Sequence, residues 1–253
     1  MSRIARLALI AISALPALSA ANAHDFFLLS DASKAGSGPV AISATVGSAF
    51  PTPENVVTED RIATATAKAS AGARRIAVVG PKEKALELSL DPASGPTIVG
   101  VALKPRDVDY GEDRIDLILG EYQVSAAAKA KVAALPRPRS LKVDSRRFAK
   151  AIVCGVSCVG VASIPSHGFE LEFVPVGPGR FRLIQNGAPL GGYPITIAGS
   201  DGKRHEHRTN AKGEVTARAD TQGPTMLFAS TMTLPPSSGG RFILRLTSLT
   251  TER

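Results

Sequence analysis

The chain of 253 residues has no tryptophan, only two cysteines and only four histidines. Its formal net charge is +8, yet the cations are scattered: Arg74-Arg75, Lys82 and Lys84, Arg137 and Arg139, Arg146-Arg147, Lys203-Arg204. No aromatic residues are interleaved with them, and tryptophan is missing altogether. A nucleic-acid groove needs a stripe of cations with stacking platforms, so nucleic acid is not an expected partner. A solvated basic surface remains, which favours anionic envelope components. Catalytic signatures are absent too. There is no Gly-x-Ser-x-Gly elbow, no His-Glu-x-x-His, no phosphate loop and no dinucleotide fingerprint. The chain is therefore not expected to be an enzyme. Copper oxygenase chemistry at a terminal histidine would want a flat aromatic substrate platform, and none is visible.

Residues 1–23 have the three parts of a secretory signal. Arg3 and Arg6 form a basic start, Leu7 to Ala20 is apolar apart from two serines, and Ala21-Asn22-Ala23 offers small residues at alternate positions. Cleavage there exposes His24; cleavage after Ala20 is chemically acceptable and would leave three residues before it. No paired arginines and no nearby cysteine point to the twin-arginine route or a lipid anchor. No later run reaches the ~20 apolar residues of a membrane span. The expected location is therefore periplasmic or secreted. Removing 23 of 253 residues leaves 230, enough for one large or two small domains.

Cys154 and Cys158 are the only thiols. Outside the cytoplasm a nearby pair usually oxidises. An extended strand would hold them ~13 Å apart, beyond the ~7 Å reach of a disulfide, so a bridge needs a turn, which Gly155 permits. Thiolate ligation of a metal is the alternative, although the second cysteine pair of a zinc site is missing.

The segments Val40–Val46, Arg75–Val79, Ala85–Leu90 and Thr97–Leu103 read as short strands punctuated by Gly, Pro and Asp. Glu121 to Leu135, rich in Ala and Lys, reads as the best helix, ended by Pro136. Ser157 to His167 reads as a linker, with His167 on the surface. Beyond it, Phe169 to Phe173, Arg180–Gln185, Pro194–Ile197, Glu214–Ala219 and Arg241–Leu246 alternate as strands, with a turn at Asn186-Gly187. The predicted fold is mainly β: two β-sandwich-like, immunoglobulin-like domains, 24–120 and 168–253, with a short helical segment and linker at 121–167.

The histidines carry the functional expectation. A terminal His24 offers its α-amine and ring Nδ1 to one metal, and an amine pKa of about 8 keeps the deprotonated form accessible at neutral pH. Asp25 places a carboxylate beside it. In Lys203-Arg-His-Glu-His-Arg208, strand alternation puts His205 and His207 on one face and Glu206 and Arg208 on the other, with Asn210 to Gly213 as a hairpin connection. Nitrogen donors suit nickel, copper, cobalt and zinc, and the general affinity order favours copper.

The opening Ala23-His-Asp-Phe-Phe-Leu28 resembles that of a bacterial periplasmic family of unknown function. Its members are described as nickel-uptake transporter family proteins or periplasmic components of cobalt/nickel transport. That family opens Ala-His-Asp-Phe-Trp-Leu, and Phe27 stands where the tryptophan is usual. Ser145 to Ile152 resembles the family's Arg-Tyr-Ala-Lys stretch. Asn186 to Gly192 and Arg208 to Val215 are similar to turns of its β-sandwich domain, where Thr-Asp-x-x-Gly is usual. The resemblance implies a soluble periplasmic protein of nickel or cobalt uptake, with His24 as the natural ligand. The combined expectation is a metal-binding accessory protein using His24, Asp25, His205 and His207, and passing the metal to a membrane transporter. A structural or interaction module of the envelope, without a metal site, is the alternative.

Overall fold

A computed structural model describes residues 24–31, 38–91, 95–122, 124–154, 157–217, 223–235, 237 and 239–252. The expected signal at 1–23 and the turn residue Gly155 lie outside them. The first half contains β1 (Asp25–Ser30), β2 (Val40–Gly47), β3 (Asn55–Val56), β4 (Ile62–Ala69), β5 (Gly72–Arg74), β6 (Ile76–Lys82), β7 (Ala85–Leu90), β8 (Thr97–Leu103) and β9 (Arg106–Gly111). Helices α1 (Glu112–Glu121) and α2 (Ala126–Ala133) follow. The remainder holds β10 (Ser140–Val153), β11 (Leu171–Gly177), β12 (Arg180–Gln185), β13 (Ala188–Pro189), β14 (Pro194–Ala198), β15 (Arg204–Arg208), β16 (Glu214–Thr216), β17 (Thr225–Thr233) and β18 (Phe242–Thr251).

These strands form three sheets. The central one has nine strands in the order β15-β14-β17-β18-β10-β8-β4-β5, with β9 on the edge of β10. It joins both halves of the chain, because β10 runs parallel to β18 from Val143–Phe242 to Ile152–Thr251. A five-stranded sheet (β1, β2, β3, β6, β7) and a four-stranded sheet (β11, β12, β13, β16) complete the set. The fold is mainly β and sandwich-like, and both sandwiches use the central sheet.

Side-chain alternation decides what each face of that sheet covers. On β8, Val99, Val101 and Leu103 pack with Phe26, Leu28, Ile42, Leu86 and Leu88 of the five-stranded sheet. Their neighbours Ile98 and Ala102 pack instead with Leu171, Phe173, Phe181 and Leu183 of the four-stranded sheet. On β17, Met226 and Phe228 face the helices while Leu227 and Ala229 face the four-stranded sheet. The five-stranded sheet and the helices thus share one side, and the four-stranded sheet takes the other.

The helical segment differs from expectation. The predicted helix over 121–135 is shorter, because Ser125 caps α2 by accepting from the Ala128 amide at 3.2 Å. Ahead of it, α1 buries Ile115, Ile118 and Leu119, a spacing of three and four that marks one helix face. The Glu112 carboxylate accepts from the backbone and guanidinium of Arg139, tying the start of α1 to the approach to β10. Much of the expected helix and linker at 121–167 is strand: β10 alone runs 14 residues. Its length lets it pair with β9 at one end, β8 at the other and β18 alongside.

Candidate functional site

His24 precedes β1 and is exposed. Its Nε2 lies 3.7 Å from a Glu54 carboxylate oxygen. Glu54 is itself held by the Ser48 hydroxyl at 2.6 Å and the Ser48 amide at 3.0 Å, and these bonds lower its pKa. The His24 carbonyl accepts from Arg147 at 3.0 Å. Asp25 turns the other way, as alternation on β1 requires. It is buried and ion-paired to Arg204. Burial pushes its pKa up to about 6 in spite of Arg204, and one carboxylate oxygen has no hydrogen-bond partner. The expected pairing of His24 with Asp25 around one metal is therefore absent from this geometry: Asp25 is committed to Arg204.

His24 stands at the mouth of a cleft of about 540 Å³ between β2–β3 and the edge of the central sheet. The cleft exists because β10 changes partner there. Its register with β9 ends at the Ser145–Arg106 pair and its register with β8 begins at Phe148–Ala102. The connection is clamped: the Lys104 amide donates to the Arg61 carbonyl at 2.8 Å, and the Arg61 guanidinium donates to the Lys104 carbonyl at 2.9 Å. Arg61, Arg106 and Arg147 all line the cleft, with Tyr110, Ser145 and Thr58. No aspartate or glutamate lines it among the described residues. Burial raises the Tyr110 pKa, and Arg147 acts against that rise.

His205 and His207 share a face of β15, opposite to Arg204 and Glu206. Their register partners are Ile197 and Ile195, which pack toward the four-stranded sheet. Arg204 pairs with Ala198 and reaches Asp25 and the Phe228 ring on the helix side. The central sheet therefore separates His205 and His207 from His24. His207 borders a polar cleft of about 470 Å³ with Arg180, Arg208, Asn210 and Glu214. The expected hairpin at 210–213 is a tight turn, its amides accepted by Asn210 Oδ1. The strands it joins do not pair with each other: β15 belongs to the central sheet and β16 adds to β12. Among the described residues no three His, Cys, Asp or Glu side chains gather in a group able to hold a metal.

Cys154 and Cys158 form a disulfide with Cα atoms 5.0 Å apart, which resolves the two readings of this pair in favour of oxidation. His167 differs from the expected surface residue. Its ring lies over Gly100, where a Cβ would overlap it, and 5.4 Å from the Phe169 ring. Both ring nitrogens are buried without a well-formed hydrogen bond. Burial, then Lys150, push its pKa down to about 4. Beside it, Lys150 and Glu172 form a fully buried ion pair at 2.7 Å. Glu172 also accepts from the amides of His167 and Gly168. Burial acts to raise its pKa, but Lys150 and these bonds outweigh it and hold it low. Lys150 is legible in principle from the sequence, since it occupies an inward position between Phe148 and Ile152. The guanidinium cluster is not, because it depends on where one strand changes partners.

No protein-family model matches the chain, and neither a curated protein nor a solved structure matches it significantly. Among the described residues, no helix is long and apolar enough to cross a membrane.

Proposed function

We propose that this is an exported, periplasmic metal-binding accessory protein, which carries nickel or cobalt on His24 and delivers it to a membrane transporter. One observation supports the reading above others: the His24 Nε2 lies 3.7 Å from the carboxylate of Glu54, within ion-pair though not hydrogen-bond reach, and Ser48 fixes that carboxylate in place. A carboxylate behind one ring nitrogen is the usual support for a histidine that ligates through the other. That leaves Nδ1 for the metal, together with the α-amine once the signal is removed. Copper and zinc suit the same donors. The metal is cargo, and no reaction is assigned. His205 and His207 enter this reading only as a separate pair.

The test is calorimetric titration of nickel into protein beginning at His24, beside a version with one alanine added in front. Binding lost in the extended version supports the terminal chelate. Equal binding in both moves the metal to another site. Absence of binding in both favours a second reading, an envelope interaction module without a metal site. The separation of His24 from the His205–His207 pair is the observation on that side.

A further inference from the structure

We infer that the cleft beside His24 is a binding site for a small oxyanion carrying two or more negative charges, such as a polycarboxylate or a phosphate. The inference stands on the arginines and goes beyond the metal reading. Three guanidiniums approach one cavity, from the turn before β4 (Arg61), the start of β9 (Arg106) and the middle of β10 (Arg147). Arg106 and Ser145 are register partners, and Ser145 and Arg147 are two apart on one strand, so all three residues present the same face. Arg61 and Arg147 each spend a donor on a backbone carbonyl, which orients the group. Each guanidinium has five donors, so donors remain for a ligand. No acid lines the cavity: the nearby carboxylates are Glu54, held by Ser48 beside His24, and Asp25, paired to Arg204. Among the described residues none of the three arginines has an ion pair of its own, and a bidentate oxyanion is the natural partner for such a fork. About 540 Å³ lies within the size range of small-molecule sites. Tyr110 and Thr58 at the wall add neutral polar groups. Elsewhere on the molecule several half-buried arginines do meet carboxylates: Arg241 reaches Asp107 and Asp109, and Arg182 reaches Glu214.

The measurement is titration of citrate and, separately, inorganic phosphate into protein beginning at His24, with acetate as the monovalent control. One saturable site is expected for the favoured polyanion, with acetate at least tenfold weaker. Removing charge-assisted hydrogen bonds worth about 1.5–3 kcal/mol each should weaken binding by about tenfold or more in Arg106→Gln, and further in Arg61→Gln/Arg106→Gln. Lys129→Gln, on α2, should leave it unchanged. Arg106→Gln serves as the single variant because its side chain closes no backbone carbonyl; its fold is checked by circular dichroism. The version with an added alanine before His24 should bind the anion as before, which separates this site from the metal reading. Preference for citrate or for phosphate identifies the source. Failure of both anions to bind saturably, or binding by Arg106→Gln and the double variant as tight as the parent's, overturns the inference.

Discussion

Arg146 and Arg147 are neighbours on β10, yet they project to opposite sides of the central sheet and live in opposite chemistry. Arg146 meets Asp144 at 2.6 Å and also Glu170, and Arg245 meets the same Glu170 at 2.6 Å. Arg147 donates to a backbone carbonyl and opens on a cleft with no acid in its lining. Around Arg146 the charges are closed into pairs, and the fully buried Lys150–Glu172 bridge lies on the same side of the sheet. In the cleft beside His24, the arginines are left for something the lining does not supply. A paired charge in a sandwich core is explained by folding, whereas a cluster left open in a cavity needs a ligand or solvent to explain it. One strand shows both cases because alternation divides its side chains between two environments.

The largest effect that would break this comparison lies at the buried bridge. Lys150→Met leaves Glu172 charged and enclosed, and Glu172→Gln leaves Lys150 so. Either should cost about 3–5 kcal/mol, as expected when one member of a buried pair is removed. Lys150→Met/Glu172→Leu should recover much of that loss, because the pair's desolvation is then avoided. Urea unfolding reads both. A single variant as stable as the parent would mean that the closed side is less closed than its geometry indicates.

The second test is pH. His167 binds a proton with a pKa near 4 in the fold, against 6.5 as the ordinary value. Between these values the unfolded chain holds more protons than the native one. Stability is therefore full above about pH 6.5 and is lost as pH falls toward 4, by at most about 3 kcal/mol for this group. His167→Gln should flatten the stability curve in that window. An unchanged slope would place the cause in other residues.

Much of this architecture is legible in the sequence alone. Val40 to Val46, Ala85 to Leu90 and Arg180 to Gln185 announce their strands by alternation and punctuation, and they are β2, β7 and β12. Asn186 and Gly187 have the positive φ values, 49° and 81°, that the turn expected there demands. The disulfide is legible from two nearby thiols in a chain expected to be exported. Long-range pairing is hidden. Nothing local says that β10 runs parallel to β18, or that the strand after His207 leaves its sheet for another. The site shares that limit. His205 and His207 do lie on one face, as their spacing requires, but their relation to His24 depends on which sheet each strand joins. The arginine cleft depends on the break between two registers, so it has no sequence motif.

The smallest and most direct test compares the adjacent arginines. Arg146→Gln strips two carboxylates of a partly buried partner and should cost about 1–2 kcal/mol, the range of charged hydrogen bonds discounted for exposure. Arg147→Gln removes no ion pair, only a bond to the exposed His24 carbonyl, and should change unfolding by less than Arg146→Gln does, by about 0.5–1 kcal/mol. Ligand binding should reverse the ranking. Arg147→Gln should weaken oxyanion binding in the cleft, while Arg146→Gln should leave it intact, since Arg146 projects into the other layer. The same neutralisation should raise nickel affinity a few-fold at low ionic strength if the metal sits on His24, because a cation beside three guanidiniums is repelled. Salt should erase that gain, screening charges over about 10 Å at 0.1 M. If Arg147→Gln leaves nickel affinity unchanged at low salt, the metal is too far from the cleft to feel its charge, and His24 is not where it binds.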